Sequence, residues 1–169
     1  MNDLSRQRLA VCPGSYDPVT HGHLDILTRT SRVFDRVVVG VVGQSIRKST
    51  TLFTAEERQG FLERAIAANG LENVEVRVFT NLLVEFAREC GATAIVKGLR
   101  AISDFEYEFE MNQLNRKLAA DIESVYIFAS AEFSFLSSTG VKEMATFGAD
   151  VSDLVPAEVA KALTERVRR

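Results

Sequence analysis

Apolar residues in this chain come in short bursts, and their spacing switches between two periods. Leu9-Ala10-Val11-Cys12 is a compact apolar run. Arg36-Val37-Val38-Val39-Gly40-Val41-Val42 is nearly continuous in β-branched residues, the pattern of a strand covered on both faces. Val74-Glu75-Val76-Arg77-Val78-Phe79 alternates apolar with charged, which predicts a strand with one face partly exposed. Ala94-Ile95-Val96 and Val125-Tyr126-Ile127-Phe128 complete the set of predicted strands.

Between these runs the period lengthens to that of a helix. An amphipathic pattern runs from Leu24 to Phe34. Thr54-Ala55-Glu56-Glu57 has the form of a capping box and opens a helix with Phe61, Leu62 and Ile66 on its buried stripe. Leu82 to Cys90 reads as a short helix stopped by Gly91. Ser103-Asp104-Phe105-Glu106 reads as a second capping box, opening a longer helix to about Leu118. A helix from about Ser138 to Phe147 should end at Gly148, and Pro156 suits the first turn of a terminal helix over 156–168.

Strands and helices in this order predict an α/β fold. It is a Rossmann-like, doubly wound, five-stranded parallel sheet with helices on both faces, in a single domain spanning 1–169. Residues 1–7 are expected to form a flexible N-terminus. Ligands of such sheets bind at the carboxyl ends of the strands, at the topological switch point. The loops that follow the strands are therefore the place to look for chemistry.

Composition narrows the class. With 46% hydrophobic and 25% charged residues, the chain reads as a soluble globular protein. No apolar run approaches the ~18 residues a membrane span needs. The first residues, Met1 to Arg6, lack an apolar signal core, which points to the cytoplasm. A net charge of −3 gives no reason to expect nucleic acid as a partner. Cys12 and Cys90 are too few and too isolated for a disulfide framework or a zinc site, and both read as small core hydrophobes.

The first strand exits into Pro13-Gly14-Ser15-Tyr16-Asp17-Pro18-Val19-Thr20-His21-Gly22-His23. A strand, a glycine-containing turn and a helix start in that order gather backbone N–H groups and positive dipole around one point, which suits phosphate. Ser15 adds a hydroxyl, and His23 sits where its ring reaches a bound anion. Arg47 and Lys48 follow the second strand, and Asn81, Leu82 and Leu83 the third. After the fourth strand, Lys97-Gly98-Leu99-Arg100 sets two cations around a glycine, a point charge and a planar fork suited to an anion. After the fifth, Phe133-Ser134-Phe135-Leu136-Ser137-Ser138-Thr139 brings three hydroxyls to a helix N-terminus. A cap needs only one of them, and the surplus favours a second phosphate-binding turn facing the first.

Taken together these residues resemble the nucleotidyltransferase superfamily with a Thr/His-x-Gly-His motif, here Thr20-His21-Gly22-His23, and an Ile-Ser-Ser-Ser/Thr-type motif, here Leu136-Ser137-Ser138-Thr139. Within it the chain is similar to the bacterial phosphopantetheine adenylyltransferases, through Pro13 to Pro18, Lys97 to Arg100 and Asp104-Phe105-Glu106-Tyr107-Glu108. The resemblance implies reversible transfer of the adenylyl group of ATP to 4′-phosphopantetheine. The products are dephospho-coenzyme A and pyrophosphate, formed by direct in-line attack. It also implies Mg²⁺ with the phosphates, a homohexamer and feedback binding of coenzyme A. By matching, His23 stabilises the transition state, and Ser15 holds both nucleotide and acceptor phosphate. Tyr16, Gly98, Leu99, Arg100, Glu108 and residues Phe133 to Thr139 line the ATP site, while Leu83 and Lys97 fall at acceptor positions. No metal ligand is assigned.

The chain departs from the family pattern in three places. Gln44-Ser45-Ile46-Arg47-Lys48 replaces the usual Asn-Pro-x-Lys, so either Arg47 or Lys48 takes the acceptor-site lysine role. Lys97 stands where arginine is frequent, and Thr139-Gly140 replaces Ser-Leu. Two other readings compete. One keeps the chemistry and changes the acceptor, to nicotinamide mononucleotide or a cytidylyltransferase substrate. The other is a nucleotide-binding scaffold without catalysis. The Gly98 to Glu108 segment argues against the first, and His23 against the second.

Overall fold

A computed structural model describes residues 7–43 and 51–167, apart from the side chains of 102 and 103. The predicted strands form as β1 (Leu9–Gly14), β2 (Arg36–Val42), β3 (Val74–Phe79), β4 (Ala94–Leu99) and β5 (Glu123–Phe128). The helices between and after them are α1 (His21–Ser31), α2 (Ala55–Ala68), α3 (Leu83–Cys90), α4 (Ile102–Leu118), α5 (Ser138–Thr146) and α6 (Ala157–Val167). A single 3₁₀ turn at Ala131–Phe133 precedes α5. Residues 1–6 and the Arg47-Lys48 loop lie outside the described residues.

The sheet is parallel throughout, in the order β3-β2-β1-β4-β5. The chain winds outward from β1 through β2 to β3, then crosses back so that β4 lies on the other side of β1. That reversal is the switch point. β1 stays paired with β2 from Leu9↔Arg36 to Gly14↔Val41, but with β4 only at Ala10↔Ala94 and Val11↔Ile95. Beyond those two pairs the central strands part. Pro13 cannot donate to a ladder in any case. The gap is where a ligand can enter.

Both faces of the sheet are covered, as the continuous run in β2 predicts. Ala10, Cys12, Val37, Val39 and Val41 pack with Phe61, Leu62 and Ile66 of α2, Val141 of α5 and Val159 and Leu163 of α6. The alternate residues Leu9, Val11, Val38 and Ile95 pack with Val84, Phe86 and Ala87 of α3. At ~1.5–3 kcal/mol for each large aliphatic side chain buried, these two clusters supply the main drive for folding. β3 is an edge strand with Glu75 and Arg77 turned to solvent, so its alternation carries the meaning read from it.

Helix ends follow the sequence in most places. Thr54 and Glu57 form the reciprocal capping box, with Glu57 accepting the Thr54 N–H at 2.8 Å. Gly91 and Gly148 adopt the left-handed conformation, φ 73° and 79°, that stops α3 and α5. Two expectations need correction. Lys97-Gly98-Leu99 belongs to β4, not to the loop after it, because pairing of Lys97↔Tyr126, Gly98↔Ile127 and Leu99↔Phe128 with β5 prolongs the strand. Ser103 is not the N-cap: α4 starts at Ile102, with Ala101 as a cap that has no side-chain bond. Asp104 turns instead to Arg100. Among the described residues no helix is long and apolar enough to cross a membrane.

Candidate active site

The parted ends of β1 and β4 open into a cavity of about 650 Å³. Its floor is Cys12 to Tyr16 on one side and Val96 to Gly98 on the other. The first turn of α1 and the turn that starts α5 form its walls. Ser15, Tyr16, His23, Lys97, Gly98, Arg100, Glu108, Phe133, Leu136, Ser137, Ser138 and Thr139 all line it. Leu99 is buried behind it, Phe135 is exposed, and neither they nor Ser134 and Leu83 are among the lining residues.

His23 is built into the start of α1. Thr20 is the N-cap, and His23 takes the place that a glutamate usually holds in a capping box. Its Nδ1 accepts the Thr20 N–H at 3.0 Å, while the Thr20 hydroxyl accepts the His23 N–H at 3.3 Å. A backbone N–H is always a donor, so Nδ1 must be the acceptor and the ring proton of the neutral imidazole lies on Nε2. The cap therefore decides which nitrogen of His23 can donate. His21 contributes only main chain to this arrangement, its N–H donating to Leu154 O at 3.0 Å.

Behind His23 stands Tyr16, its ring edge-on to the imidazole with centroids 5.0 Å apart. Tyr16 has φ 47°, an uncommon backbone state for an aromatic residue and the kind of strain that gathers at functional sites. Its hydroxyl donates to Cys12 O at 3.0 Å. Burial pushes the phenol well above its usual range, so the side chain serves as a wall. Gly14 makes room for it, since a Cβ there would lie 2.9 Å from the ring. Burial likewise pushes the Cys12 thiol up to about 12, which leaves no thiolate nucleophile at neutral pH.

The cations of the cavity are held by carboxylates of α4. Lys97 Nζ lies 3.0 Å from Glu108 Oε2. Arg100 donates to Asp104 through Nε at 3.1 Å and Nη2 at 3.2 Å, and through Nη1 to Leu136 O at 2.9 Å. Burial alone would raise the Asp104 carboxyl, but Arg100 more than offsets this and holds it below the usual carboxylate range. At the far wall, Ser137 caps α5 by accepting the Gly140 N–H, and the Ser138 hydroxyl donates to Pro18 O at 2.8 Å. Two of the three hydroxyls are thus spent on structure. The second spend is informative, because it ties the α5 turn to the β1 loop across the cavity mouth.

Several contributors escaped the sequence reading. Asp17, read as a turn residue, is fully buried. Its carboxylate accepts from Lys142 Nζ at 2.7 Å, Leu52 N at 3.0 Å and Phe53 N at 2.9 Å. Desolvation pushes its pKa up, yet these donors win and hold it below the usual range. Arg166 of α6 donates to Leu52 O at 3.0 Å and stacks over Phe53. Arg29 of α1 reaches Phe128 O at 2.7 Å, and Asp25 accepts the Ser130 hydroxyl at 2.8 Å, which fixes the loop after β5. Arg58 is buried and donates to Ser15 O at 2.6 Å and Val42 O at 2.9 Å. Its only advance signal was its spacing, because 58, 61, 62 and 65 fall on one helical stripe.

Fold and site together define a nucleotidyltransferase, and residues 11–144 match the family model described as cytidylyltransferase-like. Solved structures of similar fold include a putative nicotinate-nucleotide adenylyltransferase from Vibrio parahaemolyticus. That match has a TM-score of 0.72 at 20% identity, over 97% of this chain and 96% of that one. Another is nicotinic acid mononucleotide adenylyltransferase from Plasmodium falciparum, with TM-score 0.70, 15% identity and coverage of 95% and 96%. Relatives in sequence include the phosphopantetheine adenylyltransferase of Desulfitobacterium hafniense strain Y51, 49% identical over 94% of this chain and 95% of the relative. That of Rubrobacter xylanophilus is 54% identical over 88% of each. The chain belongs to the phosphopantetheine adenylyltransferase family.

Proposed function

We propose that the chain transfers the adenylyl group of ATP to 4′-phosphopantetheine, reversibly and without a covalent intermediate. The observation that carries this reading is the cavity at the switch point, where the exits of β1, β4 and β5 converge on one volume. A phosphate oxygen of the acceptor attacks the α-phosphorus of ATP. The new P–O bond forms as the bond to the β-phosphate bridging oxygen breaks, and pyrophosphate leaves. The attacking group is already an anion, so no general base is needed. Catalysis then rests on orientation and on charge stabilisation at the α-phosphate and the leaving group.

The chain's residues divide that work. His23 donates from Nε2, and the N-termini of α1 and α5 add positive dipole. Arg100 and Lys97 supply full charge, exchanging part of their contact with Asp104 and Glu108 for phosphate. Ser15 faces both substrates, Arg47 or Lys48 meets the acceptor phosphate, and Leu83 borders the acceptor arm. Among the described residues there is no group of three or more His, Cys, Asp or Glu side chains that could hold a metal ion. Magnesium would enter as part of the ATP substrate, held largely by its phosphates and water.

Pyrophosphate release with ATP and a panel of acceptors tests this. Turnover is expected with 4′-phosphopantetheine and not with nicotinate or nicotinamide mononucleotide. The reverse preference would sink the assignment. Coenzyme A, which carries the acceptor's own arm, is expected to compete for the same cavity.

We also propose that the chain works as a homohexamer. α4 buries none of its described side chains, and Phe105, Phe109, Leu114 and Leu118 are all more than half exposed. Phe128 of β5 is 73% exposed. So much apolar surface in one region suits a partner. Light scattering should give six times the 18.7 kDa chain mass, and Phe109→Asp should lower it. A monomeric wild type would contradict the proposal.

A further inference from the structure

We propose that Arg58 is a positioning residue for the reaction: from behind the cavity, its guanidinium fixes the main chain of Ser15 against the exit of β2. The inference rests on the adenylyl-transfer reading above.

Arg58 is 1% exposed, among the least accessible charged side chains described. A buried charge is costly unless its donors are satisfied. Here Nε and Nη1 are satisfied by four neutral carbonyls from three segments. Nε donates to Phe53 O at 3.1 Å and Thr54 O at 3.2 Å, at the start of its own helix. Nη1 donates to Ser15 O at 2.6 Å and to Val42 O at 2.9 Å, residues 43 and 16 positions away in sequence. Anchoring α2 would require only the first pair. The second pair joins two strand exits whose residues, Ser15 and Val42, line the cavity.

The consequence follows from peptide planarity. Holding the Ser15 carbonyl fixes the plane of the peptide that follows it, and with it the direction of the next N–H. The turn that faces phosphate thus takes its orientation from a side chain that touches no substrate. Desolvation lowers the Arg58 pKa while Asp17 and Glu56 support its charge, so charge-assisted bonds at these lengths are reasonable. Lysine cannot replace the fork. Its ammonium is a single point that cannot serve acceptors spread around a plane.

Two variants test the proposal, Arg58→Lys, which keeps the charge, and Arg58→Met, which keeps much of the volume. Thermal melts, ATP affinity by calorimetry, and kcat and KM for pyrophosphate release should be measured together. Both variants are expected to melt cooperatively. ATP affinity is expected to weaken tenfold or more, acceptor KM to rise by a similar factor, and kcat to fall further. Partial unfolding alone would lower kcat and leave KM and ATP affinity as they are. Wild-type values of both in either variant would overturn the proposal. So would failure of both to fold, which would make Arg58 a determinant of the fold. If wild type binds ATP but does not turn over phosphopantetheine, the acceptor reading fails, and the ATP affinities still judge Arg58.

Discussion

His23→Ala is expected to lower kcat by about a hundredfold or more while leaving ATP affinity within a few-fold of wild type. The Nε2 proton is aimed at charge that grows only as the α-phosphate reacts, and loss of one such donor costs about 3 kcal/mol of transition-state stabilisation. A second, smaller effect accompanies it. The same imidazole accepts the Thr20 N–H at 3.0 Å, so its removal also weakens the cap of α1. That loss is worth about 1 kcal/mol, or a melting shift of ~2–4 °C. His23→Asn separates the two. Its amide oxygen can accept the Thr20 N–H in place of Nδ1, which should restore the melting temperature and leave the rate low. An unimpaired His23→Ala enzyme, or an asparagine variant that recovers both, would remove His23 from its assigned role.

Asp17→Asn is expected to produce the largest loss of stability. The change leaves the Lys142 ammonium without its carboxylate and places an amide N–H or a weaker oxygen against donors 2.7–3.0 Å away. Removing one partner of a fully buried pair costs ~3–5 kcal/mol. Lys142 keeps 24% of its side-chain exposure, so about 2–3 kcal/mol is the better figure here. The melting temperature should fall by roughly 5–10 °C at neutral pH. The pH dependence has a definite sign. The folded Asp17 pKa lies below its unfolded value of about 3.9, so its contribution is complete well above that pH. It is lost as pH falls through the lower, folded value. The gap between wild type and variant should therefore close in acid. A gap that widens below pH ~4, or none at neutral pH, would show that Asp17 does not stabilise the fold in this way.

The sequence conveyed the strands because their faces are apolar enough to leave little choice, β2 most of all. It conveyed the cavity-lining turns after β1 and β5 because each lies at a strand exit and within a few residues. It misplaced the end of β4, since lysine and glycine disfavour strands and only the β5 neighbour holds Lys97 and Gly98 in one. The false cap at Ser103 has a similar cause. A Ser-x-x-Glu pattern is local, whereas Arg100 claims Asp104 from outside the helix. Asp17 and Arg58 were not legible as site residues at all. Asp17's partners lie 35 to 125 residues away, and those of Arg58 at the strand exits 16 and 43, and no spacing rule reaches that far.

Around the cavity, the loops are moored by arginines that give their protons to main-chain carbonyls. Arg29 does so to Phe128, Arg58 to Ser15 and Val42, Arg100 to Leu136, and Arg166 to Leu52. Carbonyl oxygens are available whatever side chains the loops carry, so the moorings leave loop sequence at liberty to vary. They also move an entropic cost from one event to another. A loop ordered during folding has already surrendered its conformational freedom, and a nucleotide arriving later need not draw on its own binding energy to order it.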